Sequence, residues 1–124
     1  ESELSAEQLA ALQEAADLYR GDFLAGFAVR GAPAFEEWVL SQQERLRGLA
    51  LETLYILAAH YSAQGPVGRA RAIAYTGRLL ALDPWREEAH RQLMRLLALS
   101  GRRDAALAQY EACRQVLAAE LEYV

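Results

Sequence analysis

Leu82-Asp83-Pro84-Trp85-Arg86-Glu87-Glu88-Ala89-His90-Arg91-Gln92-Leu93-Met94 decides the reading of this chain of 124 residues. It joins two stretches that repeat faintly at a distance of 34 residues: Ala72 is matched by Ala106, and Arg69 by Arg103. Asp83-Pro84 reads as the opening of a helix, because Asp83 can cap free amides and Pro84 lacks an N–H to leave unsatisfied. On the helix so opened, Leu93, Met94, Leu96 and Leu97 share one apolar face. A period of this length with helical spacing on both sides is one helical hairpin per unit. Such units hold other macromolecules rather than perform chemistry.

Outward from that stretch, helical spacing continues. Ser100-Gly101 closes the fourth helix, with Gly101 free to adopt the left-handed C-cap. A fifth helix is expected over about 103–120, with Ala106, Leu107, Tyr110, Cys113 and Leu117 inward. Upstream, Gln64-Gly65-Pro66-Val67-Gly68 reads as a turn. The third helix then runs over about 67–82, with Ala72, Ile73, Leu79 and Leu80 inward. A long second helix is expected over about 34–63. Its inward face is read as Phe35, Trp38, Gln42, Leu46, Leu49, Thr53, Ile56 or Leu57, and His60 or Tyr61, which puts Trp38 in the core. Gly48 interrupts this helix at a cost of about 1 kcal/mol, a position for a kink or a close contact. The first helix starts at Ser5, where Ser5-Ala6-Glu7-Gln8 spells a capping box, and carries Leu9, Leu12, Ala16 and Tyr19 as one stripe. Gly21 ends it, and a glycine-punctuated stretch runs on to Ala34.

Nothing reads as a strand, since no segment alternates over five or more residues. The expected fold class is therefore all-α: a tetratricopeptide-like stack of antiparallel helical hairpins, about five to six helices in all. The hairpins are placed at about 35–82 and 83–120 within a single domain spanning residues 1–124. Only two hairpins are legible, so the first helix and the glycine stretch are expected to cap the stack.

Composition narrows the function classes. Half of the residues are apolar and about a quarter charged, which is globular rather than disordered. No run of eighteen apolar residues exists, no signal peptide is visible, and the one cysteine, Cys113, has no disulfide partner within the chain. A cytoplasmic protein is expected. The chain opens without Met, as an excised piece of a longer protein would. All thirteen basic residues are Arg, with no Lys and no Asn, the signature of a GC-rich bacterial genome. The net charge of −4 divides into −6 over residues 1–64, from ten acids and four arginines, and +2 over residues 65–124, from seven acids and nine arginines. A nucleic-acid-binding domain is normally strongly basic, so direct DNA binding is not expected.

Residues that could carry chemistry are few. His60 and His90 lie on different helices, with no Cys or carboxylate at metal-ligand spacing. Cys113 has no neighbouring His and sits on an inward face as a packed thiol. Gly21, Gly26 and Gly31 match no nucleotide fingerprint. No enzyme, cofactor or metal is expected. Trp85, in the turn between hairpins, could be buried or could anchor a partner. If the first helix of each hairpin lines a concave groove, its exposed positions are Glu52, Tyr55 and Ala59, followed by Glu88, Arg91 and Arg95. The bland alternative is an ordinary solvated face with pairs such as Glu87 and Arg91.

Five segments in order carry a resemblance. They are Leu18-Tyr19-Arg20-Gly21-Asp22-Phe23-Leu24; Glu37-Trp38 followed by Glu44-Arg45-Leu46-Arg47; the stretch from Leu82 to Met94; Gly101 to Glu111; and Leu117-Ala118-Ala119-Glu120-Leu121. Together they resemble the bacterial transcriptional activator domain, which follows a winged-helix DNA-binding domain in Streptomyces antibiotic regulatory protein-type regulators. The resemblance covers about residues 9–124. It departs in a longer turn at Gln64–Gly68, and in Glu122 where the family usually has Gly. It implies a tetratricopeptide-like, non-catalytic domain for protein–protein contacts: homo-oligomer formation, coupling to other domains of the parent regulator, or contact with RNA polymerase. DNA would be met only through a domain absent from this chain. The alternative reading is a general tetratricopeptide-type peptide-binding scaffold unrelated to transcription.

Overall fold

The computed structural model describes residues 4–19 and 33–122, and among these the chain is helical with short turns and no strand. Five α-helices follow in order: α1 (Ala6–Leu18), α2 (Pro33–Ser62), α3 (Arg69–Leu82), α4 (Glu87–Leu99) and α5 (Arg103–Glu122), with a short 3-10 turn at Gly65–Gly68 ahead of α3. The fold class is all-α, as the helical spacing requires. Two compact units divide within α2, Glu1–Thr53 and Leu54–Val124.

In the first unit, α1 opens on the full capping box. The Ser5 hydroxyl accepts from the Gln8 amide at 3.1 Å, and the Gln8 side chain accepts from the Ser5 amide at 2.9 Å. Two N–H groups that the first turn would leave bare are thereby satisfied. Ala16 is buried on the expected stripe. The expected stop at Gly21 and the glycine stretch that follows, up to residue 32, lie outside the described residues. Along α2 the inward face differs from the one read in the sequence. Val39, Ala50 and Leu51 are buried, whereas Phe35, Leu49 and Trp38 (51% exposed) are not. Trp38 is stacked on Phe35 at 5.8 Å between ring centroids, one turn apart on the same exposed side. Bulk misled the reading: the aromatics drew the stripe towards themselves, while the small and aliphatic residues one position along face in. Gly48 makes no close contact, since a Cβ there would meet nothing within 4 Å.

The second unit is where the core is concentrated. From α2 it buries Leu54, Leu57, Ala58 and Tyr61; from α3, Ala72, Thr76, Leu79 and Leu80; from α4, Ala89, His90, Leu93, Leu96 and Leu97; from α5, Cys113. Leu57 and Ala72 are both 0% exposed. Burying a leucine this fully contributes about 1.5–3 kcal/mol. Ala72 is small where α3 meets its neighbours, and a larger side chain would overpack that contact by about 1–3 kcal/mol. The end of α2 is tied to α3 by rings. Tyr61 stacks on Tyr75 at 5.9 Å, the Arg71 guanidinium lies over Tyr61 and donates to its hydroxyl at 3.1 Å, and Arg78 lies over Tyr75.

Connections set the helix directions. Ser100, Gly101 and Arg102 are the only residues between α4 and α5, so these helices run antiparallel. Gly101 takes φ +78°. Around it, the Arg102 amide donates to Leu97 O at 2.9 Å and the Gly101 amide to Ala98 O at 3.0 Å, a complete Schellman cap. Arg69 on the first turn of α3 donates to Leu99 O at the end of α4 at 3.0 Å, so α3 and α4 are antiparallel too.

Three expectations are corrected here. The fourth helix does not open at Asp83-Pro84: its N-cap is Arg86 and its first residue is Glu87. Asp83 instead ends α3, donating its amide to Leu79 O at 2.9 Å, with its carboxylate on Arg86 Nε at 3.0 Å. A residue before proline is pushed out of the helical region, and Asp83 sits at φ −140°, ψ 79°. Secondly, α3 begins at Arg69 rather than Val67, because residues 65–68 wind as a tighter 3-10 turn. Thirdly, Leu107 (61% exposed) and Tyr110 (56% exposed) on α5 do not face in. The face turned to α4 carries Gln109 and Cys113, and Gln109 is turned there by a buried hydrogen-bond partner on α4.

Candidate functional site

Small residues leave a hollow in the second unit. Ala58 and Ala59 on α2 and Ala89 on α4 present only methyl groups, so the helices between which they stand cannot close the gap. The result is a pocket of about 250 Å³, with Thr76 and Leu79 of α3 as further walls and Tyr55, Arg86, Glu88 and Gln92 completing the lining. Its lining is predominantly apolar. Thr76 fits that character because its hydroxyl donates to Ala72 O within its own helix at 2.7 Å. Tyr55 is 54% exposed.

Polar contacts fix the elements around the pocket. Gln92 Nε2 donates to Ser62 Oγ at 2.8 Å, and Arg95 Nη2 reaches Ser62 Oγ at 3.4 Å and Gln92 Oε1 at 3.3 Å. These bonds latch the middle of α4 to the end of α2. The start of α4 is held by His90. Its Nε2 donates to Pro84 O at 2.8 Å, and its Nδ1 accepts from Gln109 Nε2 at 2.7 Å. A carbonyl can only accept, so Nε2 carries a proton, and the Gln109 side-chain amide completes the bonding of the ring at Nδ1. His90 thus binds the α3–α4 turn, α4 and α5 together. It is buried and fully bonded, which fits a structural residue.

The six residues singled out in the sequence are all exposed, and the structure treats them differently. Tyr55, Ala59 and Glu88 line the pocket. Arg91 does not line it; its Nη1 pairs with Glu87 Oε2 at 3.0 Å on the helix surface. Arg95 is outside the lining as well, held by Gln92 and Ser62. Glu52 belongs to the first unit and is not part of this lining. The sequence reading missed Ala58, Thr76, Leu79, Arg86, Ala89 and Gln92. Gln92 was within reach of it, since it stands one helical turn after Glu88 on the same side of α4. Trp85, in the turn before Arg86, is half-exposed.

Among the described residues no group of three His, Cys, Asp or Glu side chains could hold a metal ion. The Cys113 thiol lies away from the pocket lining, and burial pushes its pKa above the ordinary range. The Glu87 carboxylate pushes the same way, and Arg91 opposes both. No described helix is long and apolar enough to cross a membrane.

The sequence pattern of the bacterial transcriptional activator domain matches residues 1–123. The chain belongs to that family. No curated protein and no solved structure matches it. As a bacterial transcriptional activator domain, it is a domain of a transcription regulator, and its family is a regulatory rather than an enzymatic one. In this member of the bacterial transcriptional activator domain family, the pocket between the end of α2 and the start of α4 is an open apolar hollow with one residue of each charge, Arg86 and Glu88, in its lining.

Proposed function

We propose that this domain acts by binding protein: it couples the regulator of which it is part to another domain, or to RNA polymerase, through the pocket between α2 and α4. The observation that supports the reading is the pocket itself. An apolar hollow of about 250 Å³ with Tyr55 on its lining suits one bulky apolar side chain of a partner helix or loop. Affinity would come from that anchor, while Glu88, Arg91 and Arg95 would steer approach and set specificity. Such contacts belong in the cytoplasm, and DNA would be met through a separate domain.

The test is capture of purified bacterial RNA polymerase, and of the DNA-binding domain of the same regulator, by the parent and by two variants. Ala59→Trp fills the hollow. Arg91→Glu with Arg95→Glu reverses the charge beside it. Both should cut capture about tenfold or more. The exposed Arg91–Glu87 pair contributes under about 1 kcal/mol, while Arg95→Glu also gives up the bonds to Ser62 and Gln92, so circular dichroism and melting check that each variant stays folded. Undiminished capture by Ala59→Trp would remove the pocket from the account. Capture of short peptide termini in place of both named partners would favour a general peptide scaffold.

A further inference from the structure

The nine arginines of the second unit divide by what they touch. Arg86, Arg91 and Arg114 pair with Asp83, Glu87 and Glu111 at 3.0, 3.0 and 2.8 Å. Arg71 and Arg78 lie over the rings of Tyr61 and Tyr75, and Arg95 is bonded to Gln92 and Ser62. Arg69, Arg102 and Arg103 are different. Among the described residues no carboxylate lies within ion-pair distance of any of them. Asp104, the nearest acid in the sequence, pairs with none of the three. These three cations stand together: Arg69 donates to Leu99 O at the end of α4, and Arg102 and Arg103 follow that end directly.

Two of them border an apolar surface. Arg69 and Arg102 line an open groove of about 340 Å³ whose remaining walls are Pro66, Ala70, Ile73 and Ser100. Every charged residue in that lining is a cation. Val67, beside Pro66, is 88% exposed, so the apolar surface continues past the groove. The groove shares no residue with the pocket between α2 and α4.

We propose that this groove is a second docking surface, and that its occupant is an acidic peptide segment carrying an apolar side chain. Charge complementarity selects the sign. Guanidinium groups with no carboxylate partner among the described residues, set at the rim of an apolar floor, can take carboxylates in charge-assisted hydrogen bonds while Ile73, Ala70 and Pro66 receive the apolar residue. A nucleic acid would meet the cations but has no side chain for the floor. The whole unit also carries only +2, from nine arginines and seven acids, where nucleic-acid binders are strongly basic. The segment therefore belongs to a protein: a stretch of Asp and Glu interrupted by Leu, Ile or Phe.

Fluorescence anisotropy on the whole chain tests this. The probes are a fluorescein-labelled peptide of mixed Asp, Glu and Leu, the same peptide with Asn and Gln in place of the acids, and a short DNA duplex. The parent should bind the acidic peptide, lose it as salt is raised, and bind the amide peptide at least about tenfold more weakly, as expected when a charge-assisted hydrogen bond is lost. Arg102→Gln with Arg103→Gln should weaken acidic-peptide binding, and the Glu versions of both should abolish it. All four substitutions are on exposed side chains, and circular dichroism checks that helicity is kept. Arg114→Gln, on the exposed pair with Glu111 on α5, should bind like the parent. Equal binding of the acidic and amide peptides, tighter binding of the duplex than of the acidic peptide, or unchanged binding by the Arg102 and Arg103 variants would each overturn the proposal.

Discussion

Replacing Gly68 with Ala and Gly77 with Ala makes the same chemical change at the N-cap of α3 and inside that helix, and the structure sets opposite signs for the two. Gly68 is buried where the 3-10 turn meets α3, with its Cα facing the end of α2. A Cβ there would overlap the carbonyl oxygen of Tyr61, and would come within 3.0 Å of the Tyr61 carbonyl carbon and 3.1 Å of Gln64 Cβ. The oxygen cannot swing away, because it is backbone and already accepts the Gln64 amide at 3.1 Å. Overpacking of this kind costs about 1–3 kcal/mol. The stiffer unfolded chain of the alanine variant returns about 0.4–1 kcal/mol, so the net loss is about 1.3 kcal/mol at the middle of these ranges and at most about 2.6 kcal/mol. Gly77 lies inside α3, and a Cβ there meets nothing within 4 Å. Alanine in a helix interior is favoured over glycine by up to about 1 kcal/mol, so Gly77→Ala should stabilise. For a chain of this size the two melting temperatures should separate by roughly 8 °C or more. Urea unfolding followed by far-UV circular dichroism supplies the free energies, with the slope against urea unchanged if only stability has moved. A Gly68→Ala protein as stable as the parent, or both variants moving in one direction, would refute the packing described at the α2–α3 turn.

Two other substitutable features give distinct readouts. Gln109→Ala removes the side-chain partner of His90 Nδ1 and leaves a buried ring nitrogen without one; the expected loss is about 1–3 kcal/mol by thermal melting, and a Gln109→Ala protein as stable as the parent would show that this bond holds nothing. Cys113 is buried and its thiol is held above the ordinary pKa, chiefly by burial and then by Glu87, so less thiolate is present at mildly alkaline pH than in a free cysteine. Iodoacetamide should therefore alkylate the native protein slowly and the urea-unfolded protein quickly; equal rates would show that the thiol is open to solvent.

How much of this was legible beforehand follows from what each residue type reveals. Capping chemistry is local, so the Ser5 box and the Gly101 cap could be read from neighbouring residues alone. Ala72 and Leu57 belong to runs whose helical spacing points inward, and they are fully buried. The start of α4 was misread because Asp83 and Pro84 carry helix-opening chemistry that the chain uses for a turn. Asp83 ends α3 and holds Arg86, and the helix waits until Glu87. On α5, hydrophobicity pointed to Leu107 and Tyr110, while the buried partner His90 turned Gln109 inward. A polar residue facing a core is invisible until its partner is known. Of the candidate site, Tyr55, Ala59 and Glu88 follow from helix-face geometry, whereas Thr76 and Leu79 come from a third helix whose depth the sequence does not give.

The account rests most heavily on the pocket between α2 and α4 as the surface that meets protein. A photocrosslinking residue, p-benzoylphenylalanine, placed at Ala59 in the intact protein tests it directly, with the same residue at Leu107 on the exposed side of α5 as the comparison. The account predicts an adduct from position 59, identified by mass spectrometry as an RNA polymerase subunit or a neighbouring domain of the same regulator, and none from position 107. An adduct to those partners from position 107 and not from position 59 would contradict it.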